Sequence, residues 1–237
     1  MDWDSILKAY PNDTAAILGI RSLREKVDAA MAGLTIPLIE APCREMDDFN
    51  PFLQVFAPIC SALWKEISGV DPTFDMTGVL KAFIADSPIP EIPESEHDLA
   101  EAVMNAVISR FLHLLREKNP GLVPEEWSKG TCPFCGAFPK IGFDAEDKRT
   151  LACLSCGHTW RFPRVTCFVC GTTDHTAMGY FDAEGVDGVK VYFCRSCGHY
   201  IKIVDSRVRI VNDPETEDAL TLVMDSLAEQ EGFVAAE

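Results

Sequence analysis

Apolar residues in the first half of the chain recur every three or four positions, the spacing that puts them on one face of an α-helix. Ile17, Ile20, Leu23, Val27, Ala30 and Met31 form one such stripe. Asp13 stands where an N-cap would start it, and Gly33 where the helix would end. Pro37 and Pro42 predict extended chain after that. A second helix is expected over 52–67, with Pro58 breaking or kinking it, and a shorter third over 74–85. Residues 87–94 hold three prolines, which predicts a stiff linker or surface strap. Leu99, Val103, Ala106, Val107, Phe111, Leu114 and Leu115 then mark the clearest two-faced helix, stopped by Asn119-Pro120-Gly121.

From residue 131 the texture changes. Short β-prone runs at 189–193, 200–204 and 208–211 alternate with Cys-Gly turns. Asp213 and Pro214 open a last helix carrying Leu220, Val223, Met224 and Leu227, with Gly232 as its stop.

Composition narrows the class. Hydrophobic residues make up 47% and charged ones 24%, the balance of a folded soluble protein. The acidic start, Met1 to Ser5, lacks the basic and apolar regions of a signal peptide, and no apolar run approaches the ~20 residues of a bilayer span. A cytoplasmic location without membrane insertion is therefore expected. The net charge of −16 argues against general nucleic-acid binding, which needs basic surface. The charge is uneven: residues 1–131 carry a net −10, residues 132–211 a net +2, and 212–237 have eight acids and no base.

Eight of the ten cysteines fall in Cys-x-x-Cys pairs, Cys132/Cys135, Cys153/Cys156, Cys167/Cys170 and Cys194/Cys197, each followed by glycine. Such a knuckle points two sulfurs at one cation, and the glycine relieves its tight turn. Without an export signal, this arrangement indicates metal or thiol chemistry rather than disulfides. An internal repeat suggests how the knuckles combine. Residues 153–162 (CLSCGHTWRF) match 194–203 (CRSCGHYIKI) at five positions, and each follows another knuckle, after 17 and 23 intervening residues. Two copies of one module would give one site of Cys132, Cys135, Cys153 and Cys156, and another of Cys167, Cys170, Cys194 and Cys197. Interleaved pairing of first with third and second with fourth is also compatible with the spacing.

Four thiolates close a tetrahedral shell, which leaves no position for a catalytic water. The set suits Zn²⁺ or a single iron of the rubredoxin kind, and spacing does not decide between them. The metals either staple small β modules together or serve redox chemistry. His158 and His199 follow their Cys-Gly turns and belong to the module rather than the ligand set. Arg149, Arg161, Arg164, Arg195 and Lys202 are expected near the knuckles, as a docking patch or as scattered solvated bases. Cys43 and Cys60 read as buried apolar groups, while His97, His113 and His175 belong to no pattern. No nucleotide-binding loop, nucleophile elbow or zincin motif occurs, so no catalytic residue is expected.

The fold class is α+β: a helical bundle over 1–127, two tandem rubredoxin-like or zinc-ribbon modules at 128–164 and 165–211, and a C-terminal helix and tail at 212–237.

Several neighbours of the cysteines then matter together: Cys132-Pro-Phe-Cys-Gly-Ala-Phe-Pro139, Leu151-x-Cys153-x-x-Cys156-x-x-x-Trp160, Arg164-Val-x-Cys167-x-x-Cys170, and Cys194-x-x-Cys197-Gly-x-Tyr200-Ile-Lys-Ile203, with the tail Ala228-Glu-Gln-Glu-Gly-Phe233. Residues 130–233 resemble FdhE-type formate dehydrogenase accessory proteins in order, spacing and flanking residues; over 1–127 the likeness is generic. The resemblance implies a cytoplasmic, non-catalytic maturation factor with two rubredoxin-like iron sites on the eight matching cysteines. It implies as partner the catalytic, molybdenum- or tungsten-containing subunit of formate dehydrogenase. Two other readings share the cysteines: a tandem zinc-ribbon protein binding nucleic acid or a transcription complex, and a small rubredoxin-like electron carrier. Oligomeric state is not legible in the sequence.

Overall fold

The computed structural model describes residues 3–44, 46–85, 87–88, 92–146, 148–209 and 213–236. The chain divides into two compact units, Ser22–Leu122, and Met1–Arg21 with Val123–Glu237.

Ser22–Leu122 is helical. Helix α1 (Trp3–Ala9) belongs to the other unit, and α2 (Thr14–Ala30) is followed by the left-handed Gly33 that the pattern anticipated. A 3₁₀ turn, Met46–Phe52, leads into α3 (Leu53–Ser68), then α4 (Met76–Ile84) and α5 (His97–Lys118). Pro58 lies inside α3 without ending it, so of the expected break or kink the break does not occur. The neighbours explain why: Phe56, Ala57, Cys60, Leu63 and Trp64 are buried on this helix, and tertiary packing outweighs one missing backbone bond. Phe111 of α5 meets Phe56 edge-on at 5.0 Å between centroids, and Val103, Met104, Val107 and Leu115 are fully buried behind it. Asp75 caps α4, its side chain accepting from Thr77 N–H.

The extended stretch after Gly33 has a definite anchor. Asn119, at the C-terminus of α5, donates to the carbonyls of Pro37 and Leu115 and accepts from Ile39 N–H. One buried amide thus satisfies a loop and a helix end together. Of the proline-rich segment, Ile89, Pro90 and Glu91 lie outside the described residues.

The second unit is built on one seven-stranded sheet. Its strands are β1 (Ile141–Ala145), β2 (Lys148–Ala152), β3 (Thr159–Arg161), β4 (Met178–Phe181), β5 (Val189–Cys194), β6 (His199–Asp205) and β7 (Val234–Ala235), in the order β3-β2-β1-β6-β5-β4. The internal repeat reappears as register. In the first copy Ala152 faces Thr159 and Leu151 faces Trp160; in the second Phe193 faces Tyr200 and Tyr192 faces Ile201. These are the positions that superposing Cys153 on Cys194 would pair. The copies join where β1 runs parallel to β6, Ile141 opposite Lys202 through Asp144 opposite Asp205. Strand β7 takes the start of β6, His199 opposite Val234. The third β-prone run does not extend the sheet: Val208 and Arg209 are in a turn, and residues 210 and 211 lie outside the described set.

One face of the sheet is covered from the C-terminal end of the chain. Ile141, Val189, Val191, Tyr200 and Val204 pack with Met224 and Ala228. The expected last helix is two, α6 (Pro214–Ala219) and α7 (Leu222–Gln230). Asp213 caps α6 as anticipated, accepting from Thr216 N–H. The break at Leu220–Thr221 has a local cause: buried Thr221 donates its hydroxyl back to the Glu217 and Asp218 carbonyls, which competes with helix continuation. Gly232, with φ near 86°, ends α7.

Lys202 is fully buried on this face, with Nζ 2.7 Å from Asp218 Oδ1 and 2.5 Å from Asp225 Oδ2. The Tyr200 hydroxyl also donates to Asp225, and burial with that carboxylate pushes its phenol pKa up. This network fixes α6 and α7 to β6.

Candidate metal centres

Each knuckle is a tight turn in which the glycine N–H bonds back to the first cysteine's carbonyl, at 3.0, 2.9, 3.0 and 2.8 Å for Gly136, Gly157, Gly171 and Gly198. All four glycines have φ between 67° and 77°, where a β-carbon would be strained. In three knuckles the first cysteine also donates to a carbonyl five residues on: Cys132 to Ala137, Cys153 to His158, and Cys167 to Thr172. In the fourth, Cys194 belongs to β5, and the Gly198 carbonyl accepts from Val234 of β7.

These turns bring the eight cysteines together as two groups, Cys132, Cys135, Cys153 and Cys156, and Cys167, Cys170, Cys194 and Cys197. Within each group all four sulfurs lie within 4.8 Å of one another. The grouping is sequential, as the repeat suggested, and the interleaved alternative does not occur. Across knuckles the sulfurs are 3.5 Å apart for Cys132 and Cys156 and 3.3 Å for Cys135 and Cys153. In the second group the separations are 3.6 Å for Cys167 and Cys197 and 3.9 Å for Cys170 and Cys194. Four sulfurs at about 2.3 Å from a central ion would form a tetrahedron with edges near ~3.8 Å. The donor set and its spacing therefore fit a tetrahedral thiophilic ion in each group, and either group could hold one.

The thiols describe the same requirement electrostatically. Hydrogen bonding to Cys132 holds Cys135 and Cys156 well above the ordinary thiol range, while the same contacts lower Cys132. Burial pushes Cys167 up to about 12. Four adjacent anions are not stable together without a cation between them.

The centres differ in exposure. All four cysteines of the first are buried, whereas Cys170 is exposed and Cys197 partly so. Trp160 lies over the first module and donates to the Lys129 carbonyl, and His158 stacks on it with planes 4° apart. Its counterpart His199 has a buried Nδ1 with no hydrogen-bond partner.

The bases picked out from the sequence do not form one patch. Lys202 is consumed by α6 and α7. Arg149 is buried, forks onto Asp144 at 2.9 and 3.0 Å, and stacks on Tyr192. Arg164 reaches the same Asp144 at 3.5 Å and the Glu146 carbonyl at 2.8 Å. Arg161 and Arg195 are exposed, the latter over Phe193. Cys43 and Cys60 are buried as expected, their thiols pushed up by burial to about 11 and about 12. His97 donates from Nε2 to the Ile92 carbonyl, and His113 is held below its ordinary value by burial. Sequence reasoning missed a cavity of about 350 Å³ on the sheet face opposite α7, walled in part by Cys167, Cys194 and His199. A trace of it was the alternation of β6, which puts Ile201 and Ile203 on the face away from Tyr200 and Val204.

Known proteins bear on this arrangement. The family model described as "FdhE, C-terminal domain" matches residues 165–237. A "Protein FdhE homolog" of Aquifex aeolicus is 26% identical over 199 residues, 80% of this chain and 70% of that one. Another, from an Enterobacter species, is 32% identical over 140 residues, 54% of this chain and 43% of its own length. The chain thus spans less than half of the Enterobacter relative that it matches. In the crystal structure of the FdhE protein from Pseudomonas aeruginosa the same fold recurs, with a TM-score of 0.67 at 16% identity over 98% of this chain and 91% of that one. Over residues 165–237 the family model, and over longer stretches the curated relatives, make FdhE proteins what this chain is similar to, and the solved FdhE structure shows the same fold.

Proposed function

We propose that the chain is a non-catalytic accessory protein that binds the catalytic subunit of a molybdenum- or tungsten-dependent formate dehydrogenase and helps it become active. The observation that carries this reading is the pair of closed tetra-cysteine groups set in FdhE-like surroundings. Cys132, Cys135, Cys153 and Cys156 would hold one ion, and Cys167, Cys170, Cys194 and Cys197 the other. Iron is favoured, by the resemblance to rubredoxin-like sites, and it would supply one-electron chemistry when bound.

What the protein itself contributes is geometry. The knuckle turns hold eight sulfurs at fixed separations, and the parallel β1–β6 pairing ties the two modules into one sheet. A thiolate shell with four occupants has no room for substrate water, which disfavours hydrolytic chemistry at either group. The net −16 charge also weighs against a nucleic-acid role.

The test is deletion of the protein in its host together with affinity purification. The proposal expects a formate dehydrogenase whose catalytic subunit is synthesised at normal level but inactive, and co-purification of that subunit with this chain. Normal formate dehydrogenase activity in the deletion strain overturns it.

A further inference from the structure

The C-terminal helices cover one face of the sheet; the other carries the cavity beside the second cysteine group. Its floor is apolar and aromatic, with Ile201, Ile203, Leu151, Phe162, Phe168 and Tyr192 among the side chains that line it. At about 350 Å³ it has room for one or two large side chains. None of its lining residues is Asp or Glu, although the chain carries 37 acids.

The charges at its wall are cationic. Arg149 and Arg164 both lean on Asp144, and Arg164 also acts on Asp205, which Arg207 pairs; among the described residues these are three guanidiniums against two carboxylates, one positive charge in excess. His199, with its buried and unpartnered Nδ1, belongs to the same lining. Apolar surface also continues outside the cavity: Val165 at its rim is 56% exposed and Tyr180 is 57% exposed. A small ligand would not need that rim, whereas a protein surface would cover it.

We infer that this cavity docks a segment of a partner protein that inserts one aromatic or large apolar side chain flanked by carboxylates. The side chain fills the apolar floor beside Cys167 and Cys194. The flanking acids meet the excess charge at Arg149 and Arg164, and the neighbouring partner surface covers Val165 and Tyr180. An aromatic anchor in a pocket, ringed by complementary charge, is the arrangement that concentrates binding energy at protein interfaces. The identity of the partner rests on the accessory reading above; the recognition chemistry does not.

The experiment uses the full-length, zinc-loaded, ¹⁵N-labelled protein and end-blocked peptides. The acidic peptide Asp-Glu-Trp-Glu-Asp is expected to bind saturably, with amide shifts centred on Val165, Tyr180 and β6. Exchanging its acids for lysines, or its Trp for Ala, is expected to weaken binding about tenfold or more, as is Arg164→Glu in the protein. Val165→Asp, a rim change at an exposed position, should weaken it similarly while leaving the remaining amide spectrum unchanged. Equal binding of the acidic and basic peptides, shifts centred elsewhere, or no saturable binding overturns the inference. So does 1-naphthoate binding as tightly as the peptide, which would make the cavity a small-molecule site. Because the readout is peptide binding, a normal enzyme in the deletion strain would remove the accessory reading and leave this result standing.

Discussion

Lys202 offers a sharp test of how the sheet holds its C-terminal helices. Replacing it by Met keeps most of the aliphatic stem but removes a fully buried ammonium from between Asp218 and Asp225. Removing one partner of a buried pair costs about 3–5 kcal/mol, because the other is left uncompensated. The two carboxylates here retain side-chain exposures of 20% and 24%, so water screens them and the lower end, about 3 kcal/mol, applies. Lys202→Ala also strips three buried methylenes, at about 0.8 kcal/mol each, and should lose roughly 2 kcal/mol more. Urea unfolding of the metal-loaded protein, followed by hydrogen exchange at the β6 amides, reads this unit apart from Ser22–Leu122. With a urea slope of about 1.5 kcal/mol/M, Lys202→Met should lower the midpoint by roughly 2 M. Adding Asp218→Asn and Asp225→Asn to Lys202→Met should recover much of the loss, since the stranded charges are then gone. A midpoint unchanged by Lys202→Met, or a triple variant no better than the single, would refute the reasoning.

The cysteine groups make further demands. Cys153→Ser should lose one metal equivalent per chain and destabilise the first module while the second keeps its ion; element analysis showing both ions retained would remove Cys153 from the ligand set. A chelator should strip the second group first, because Cys170 is exposed and Cys197 partly so. Two-phase release is therefore expected, with the fast phase abolished by Cys197→Ser, and a fast phase abolished instead by Cys156→Ser contradicts the assignment. Cys43 and Cys60 are raised from an ordinary 9.0 to about 11 and about 12, so the stabilisation from burying them protonated is complete below pH 9 and fades as pH climbs towards those values. A thiol reagent at pH 8 should accordingly miss both until the protein is unfolded, and rapid native-state labelling of either would show that burial does not protect it.

Much of the architecture was readable from periodicity, and the exceptions have physical causes. The stripe from Leu99 to Leu115 became α5 because its apolar spacing and its Asn119-Pro120-Gly121 stop act locally. Pro58 did not end α3, because its cost is local while the burial of Phe56, Cys60 and Trp64 that outweighs it is tertiary. Thr221 split the last helix through a side-chain bond to its own helix backbone, which no apolar pattern reports. The knuckles were legible since glycine, spacing and repeat all encode one tight turn. Lys202 was not: on the repeat it aligns with exposed Arg161, and only the pairing of β6 with α6 and α7 buries it. The cavity escaped for a similar reason, since it forms where β2, β5, β6 and the segment 162–168 converge from distant parts of the chain.

The claim beneath the functional reading is that each group of four cysteines holds one metal ion. Element analysis of anaerobically purified full-length protein measures it directly. Two equivalents of iron per chain are expected, with the red colour of ferric tetrathiolate sites after oxidation. Two equivalents of zinc would keep both sites and remove the redox role, and fewer than two metal ions per chain would contradict the account of the centres themselves.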